Sequence, residues 1–102
     1  MRAVIALAAA ILSTAAAASS PDAWKASDAR ATAACLKASG LTRATVAGRT
    51  GFDDRSGQDA LLVQGRWPQK HMAGKPGTML CLYTRATGRA LVAEAAGWGV
   101  RR

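Results

Sequence analysis

The chain has 102 residues, a formal net charge of +8, two cysteines and a single histidine, and half of it is hydrophobic, much of that alanine. That length fits one domain, not two. The composition excludes a collagen-like repeat, a charged low-complexity tail, and any apolar segment beyond the N-terminal run long enough to span a bilayer.

The N-terminus reads as a targeting segment. Arg2 supplies a minimal positive region, Ala3 to Leu12 (AVIALAAAIL) is an unbroken apolar run, and Ser13 to Ala18 are small. This order is that of a secretory leader, and an A-x-A site at Ala16 and Ala18 predicts cleavage after Ala18. The alternative is a retained anchor. Ala3 to Leu12 is too short for that, because crossing the hydrocarbon core takes about 20 apolar residues. No cysteine stands just after the run, as a lipoprotein would need. The expectation is therefore a soluble protein, periplasmic or secreted, with no membrane span left after cleavage. Its single domain covers 19–102 and keeps a net charge of +7 once Arg2 is gone.

Export bears on the cysteines. In an oxidising compartment, two cysteines most simply form one intramolecular disulfide, Cys35 to Cys81. A redox or metal pair is the rival, but there is no C-x-x-C and only His71 to assist.

Ser20-Pro21-Asp22 is a helix start: a hydroxyl cap, proline at the first helical position, and a carboxylate near the positive end of the dipole. Ala23 to Ala38 favours helix, with Trp24, Ala31, Cys35 and Ala38 near one face and Ala34 beside them. Gly40 supplies a left-handed stop, and Leu41 folds back toward Leu36. The pattern then changes to period two. Arg43 to Phe52 is a weak strand diluted by Gly48 and Gly51, and Asp53 to Gly57 is a turn. Asp59 to Trp67 is a better strand, with Leu61, Val63 and Trp67 on one face and Ala60, Leu62, Gln64 and Arg66 on the other. Pro68 ends it. Gln69 to Gly77 is a polar loop. Thr78 to Arg85 is a third strand, with Met79, Cys81 and Tyr83 opposite Leu80 and Leu82. After the tight turn Ala86-Thr87-Gly88, Ala90 to Trp98 is a fourth strand.

A disulfide needs its Cα atoms within about 7 Å, so the helix must lie on the Met79–Cys81–Tyr83 face. The expected fold is α+β, one N-terminal helix packed on a four-stranded antiparallel sheet in the order α-β-β-β-β, with one helix-to-sheet disulfide. Leu62, Leu80 and Leu82 then face away from the helix. Either strand curvature closes over them or a partner such as a second copy covers them.

The stretches FDDRSGQDALLVQGRWPQ and LCLYTRATGRALVAEAAGW resemble small exported proteins of Gram-negative bacteria, mostly of uncharacterised function. The resemblance covers nearly all of Cys35 to Trp98 and implies export and a cysteine-bridged α+β domain. It contains no activity motif and carries over no catalytic or binding residue.

Tests for chemistry return little. Nucleophilic catalysis needs a nucleophile, a base and an orienting group, yet His71 sits in a loop with no G-x-S-x-G nearby. Asp53, Asp54, Asp59 and Glu94 could supply an acid/base pair, but turn aspartates more commonly cap backbone amides. Asp53 to Asp59 lacks the alternating oxygens and distant glutamate of a calcium loop. Gly74-Lys75 has the glycine and lysine of a phosphate loop. Gln69 stands where the first glycine belongs, however, and Pro76 where serine or threonine would hold magnesium. No catalytic residue, metal ligand or cofactor is assigned.

The basic excess has more reach. Arg66, Trp67, Lys70, His71 and Lys75 gather around the second loop as a candidate anion- or partner-binding patch, and Arg101 and Arg102 end the chain. Arginine used simply for solubility is the competing account. Export argues against nucleic acid and favours an anionic envelope component or an acidic protein as partner. The leading expectation is a non-enzymatic binding domain. The alternatives are an inhibitor of a cell-wall enzyme that presents residues 68–77, and a small envelope hydrolase using Asp53, Asp54 or Glu94 with His71.

Overall fold

The computed structural model describes residues 20–98; the leader assigned to 1–18 and the terminal Arg101 and Arg102 lie outside the described residues. The helix α1 runs Pro21–Ser39. The Ser20 hydroxyl accepts the Ala23 N–H at 3.2 Å, Pro21 opens the first turn, and Gly40 (φ 70°) closes the last by donating its N–H to the Lys37 carbonyl. Each end thus satisfies backbone groups that a helix terminus leaves orphaned. The buried stripe is Ala31, Cys35 and Ser39, one residue per turn. Ser39 is tolerated there because its hydroxyl donates to the Leu36 carbonyl at 2.7 Å and accepts the Leu41 N–H at 3.2 Å. Trp24, expected on the apolar face, is 51% exposed. Its ring lies under the Arg85 guanidinium, 5.9 Å from the centroid, so it covers a cation at the domain surface and not the core.

Four antiparallel strands follow: β1 (Thr42–Gly51), β2 (Gln58–Arg66), β3 (Pro76–Thr84) and β4 (Arg89–Glu94), side by side in chain order. On the helix-facing side, Leu61 pairs with Cys81, Val63 with Met79 and Cys81 with Val92. The helix crosses all four strands. Cys35 and Cys81 are joined in a disulfide with their Cα atoms 5.8 Å apart, and both are fully buried with Leu61 and Val63. The α-β-β-β-β order and the helix-to-sheet bridge are as the sequence implies.

Strand limits differ from the expected ones in instructive ways. β1 is irregular: its register against β2 shifts between Thr42 and Thr45 and again between Val46 and Gly48, and Arg43 has φ 51°. These are bulges, where an unpaired residue bends the strand. β3 begins at Pro76, not Thr78, because proline at a strand's first position costs no ladder bond. It stops at Thr84, leaving Arg85 in the turn. β4 ends at Glu94, not Trp98. Ala95 still donates its N–H to the Thr78 carbonyl, but Gly97 (φ 86°) then turns the chain away and Trp98 bonds back to Ala95.

The other sheet face carries Ala60, Leu62, Leu80 and Leu82, all partly exposed, in a depression of about 390 Å³ flanked by Phe52 and Trp98. No helix among the described residues is long and apolar enough to cross a membrane.

Candidate functional site

The connection between β2 and β3, Trp67 to Lys75, is built by its own backbone. The Trp67 N–H donates to the Lys75 carbonyl at 2.9 Å, Met72 to Gln69 at 3.0 Å, Ala73 to Lys70 at 3.1 Å and Lys75 to Met72 at 3.0 Å. The result is a single 3₁₀ turn, Lys70–Met72, followed by two left-handed residues, Ala73 (φ 53°) and Gly74 (φ 69°). Arg66 ties the turn down, donating Nη1 to the Gly74 carbonyl at 2.9 Å. Four bonds within the segment and one side-chain bond onto it make an ordered projection where the sequence suggested only a polar loop.

Trp67 forms its floor. The half-buried indole packs closely against Gly77 of β3, where an added Cβ would stand 2.7 Å from Trp67 Nε1 and 2.9 Å from Leu41 Cδ2. Gly77 is therefore required by close approach. Gly77→Ala is expected to push the indole outward and lower stability by about 1–3 kcal/mol, read as an earlier urea midpoint together with a red-shifted tryptophan emission.

Trp67, Gln69, His71, Met72 and Glu94 line a shallow depression of about 210 Å³. The structure brings His71 and Trp67 together there; Lys70, Lys75 and the exposed Arg66 stand around the same projection without lining it. Among the described residues, no carboxylate lies within ion-pair distance of Arg66, Lys70, His71 or Lys75. The helix C-terminus reaches this end of the sheet through Leu41, beside Gly65 and Gly77, which adds Lys37 and Arg43. Among the described residues, five cations thus lie toward one end of the fold, where Glu94 is the one carboxylate.

The aspartates gather at the opposite end. Asp53 caps its own turn, accepting the Arg55 and Ser56 N–H groups. Asp59 accepts Arg85 Nη1 at 2.6 Å, Asp54 stands 3.9 Å from Arg85, and Asp28 stands 3.9 Å from Arg49. Arg49 also donates to the Thr32 hydroxyl. Arg66 lies seven steps along β2 from Asp59, about 23 Å at strand rise, so Asp53 and Asp54 do not converge with His71. Glu94 alone shares its depression. Among the described residues, no three His, Cys, Asp or Glu side chains gather as a metal site.

The cluster around Arg85 was not anticipated from the sequence. Its guanidinium bonds Asp59, the Gln58 carbonyl at 3.1 Å, the Phe52 carbonyl at 3.0 Å and the Asp53 carbonyl at 3.3 Å. It fastens the turn between β1 and β2 to the end of β3 and is structural. Its only sequence signal is one arginine beside a turn, facing an aspartate at the start of the preceding strand.

No protein-family model, curated protein or solved structure matches this chain.

Proposed function

We propose that this is an exported binding domain, periplasmic or secreted, that holds an anionic component of the cell envelope or an acidic protein against its basic end. The observation that carries this reading is the sign of that end: Lys37, Arg43, Arg66, Lys70 and Lys75 against Glu94 alone. Like charges held together without partners raise the local potential, attract anions and are screened by salt. Trp67 and Met72 supply apolar surface beneath them for a ligand that is more than a point charge.

The test is co-sedimentation of the protein with anionic and zwitterionic vesicles and with envelope fractions, at low and high salt. Binding is expected for the anionic samples only and should weaken as salt rises. Near an anionic surface each cation contributes about 1 kcal/mol, so reversing Arg66, Lys70 and Lys75 to glutamate should lower affinity by more than about a hundredfold, with circular dichroism checking that the sheet survives loss of the Arg66–Gly74 bond. Equal binding by the triple variant overturns the reading.

The internal bonding of Trp67 to Lys75 favours a second reading, a protein inhibitor that inserts this projection into an enzyme's cleft. A pre-ordered loop loses little conformational entropy on docking. Dose-dependent inhibition of a cell-wall hydrolase by the protein, lost when the 3₁₀ turn is replaced by glycines, would support it over surface adsorption.

A further inference from the structure

The sheet face turned away from α1 is organised as an interface. Its side chains form rows set by the register. Gly48, Leu62, Leu80 and Ala93 make one central row, and Thr50, Ala60, Leu82 and Leu91 the next. On one side lies the uncharged row Thr45, Gln64 and Thr78; on the other lie Gln58, Thr84 and Arg89. Neither central row holds a charge, although the chain carries +8. Among the described residues, three of the four exposed large hydrophobic residues lie on or beside this face: Phe52 at 51%, Leu91 at 56% and Trp98 at 59%. An apolar centre inside a polar rim, here amides, hydroxyls and the Arg89 guanidinium, is how interfaces are built.

We propose that a second copy of this chain covers this face, sheet against sheet, giving a closed two-fold dimer with layers α-β-β-α. The proposal does not depend on the binding role of the basic end. Area supports it. Four strands at about 4.8 Å spacing and six to ten residues at about 3.3 Å give roughly 500 Å² per copy, or roughly 1,000 Å² for the pair, the lower bound for a specific interface. Phe52 and Trp98 stand beyond that rectangle and add to it. Charge supports it as well. An acidic partner or an anionic surface would find no cation in the two central rows, whereas a second neutral face fits. The basic loop of each copy lies at the sheet end, and Arg66 and Arg89 stand at the two ends of this face, so the excess charge stays at the rim of the contact. Stacked sheets lie about 10 Å apart with their strands near 30°, a spacing that the leucines fill.

The test is sedimentation velocity of the oxidised protein from micromolar to millimolar concentration, for the native chain and for Leu80→Lys and Trp98→Ala. Leu80 points away from the helix-side core, and far-UV circular dichroism checks that each variant is folded. If Leu80→Lys does not fold, Trp98→Ala, which alters no strand, carries the test. The native chain should shift from monomer to twice the monomer mass. Leu80→Lys should stay monomeric, and Trp98→Ala should dissociate about tenfold more readily, as for an aromatic anchor. A native chain monomeric at millimolar concentration overturns the proposal, and so does a dimer that neither substitution weakens. Zwitterionic vesicles that bind the native monomer but not Leu80→Lys would also overturn it, by naming lipid as the occupant.

Discussion

Replacing both Cys35 and Cys81 with alanine is expected to lower stability by about 4 kcal/mol, the chain-entropy value for a closed loop of this length. The bridge spans 46 positions. A domain of this size has a total stability on the order of 4–13 kcal/mol, so the loss is a large share of what holds it folded. Each kcal/mol corresponds to about 4–8 °C in a domain of this size, and thermal melting followed by circular dichroism should show a fall of about 15 °C or more. The reason lies in the thinness of the rest of the contact. The buried stripe of α1 offers an alanine and a serine beside Cys35, which bury little apolar area. A fall of less than about 5 °C would show that packing, not the covalent link, keeps the helix on the sheet. Both sulfurs are fully buried, so reductant added to the native protein should act slowly, at the rate of opening.

Arg85→Ala should cost about 3 kcal/mol. The Arg85 and Asp59 side chains are 16% and 11% exposed, and removing one member of a largely buried pair leaves the other desolvated without a counter-charge, at about 3–5 kcal/mol. Some remaining exposure puts the expectation at the lower end. Three backbone carbonyls, of Phe52, Asp53 and Gln58, lose a donor at the same time. Arg85→Lys should recover only part of the loss, because an ammonium does not reproduce the planar fork that reaches β2 and the preceding turn. Replacing Arg85 with methionine and Asp59 with leucine together should be milder than Arg85→Ala, since no lone charge is left. Urea unfolding of the three variants measures this. A cost below about 1 kcal/mol for Arg85→Ala would place the cluster among ordinary surface pairs.

The fold was legible where local chemistry and periodicity agreed. Ser20, Pro21 and Gly40 mark the helix because capping is local, and Leu61, Val63, Cys81 and Tyr83 mark one face because alternation in a regular strand is strict. The two cysteines then oriented one element against the other. Misreadings fell where a distant partner decides. Trp24 looks like a core residue until Arg85, far along the chain, occupies its ring. Ala90 to Trp98 alternates well enough for a strand, but only Gly97's left-handed backbone shows where it stops. Pro76 reads as a breaker unless Arg66 is known to be its neighbour. At the candidate site, the sequence named Arg66, Lys70 and Lys75 but neither Lys37 and Arg43 nor the absence of a pairing carboxylate among the described residues. That absence depends on which aspartates the fold carries to the far end, and no spacing rule encodes it.

The two bulges in β1 have a consequence for assembly. Open-ended filaments need two receptive borders per molecule, one to give and one to take. Here one border is kinked twice within ten residues and cannot template a straight neighbour, which leaves only the six-residue border of β4. Aggregates propagated by backbone pairing should therefore stall at two molecules, which protects a chain whose leucines are so openly displayed.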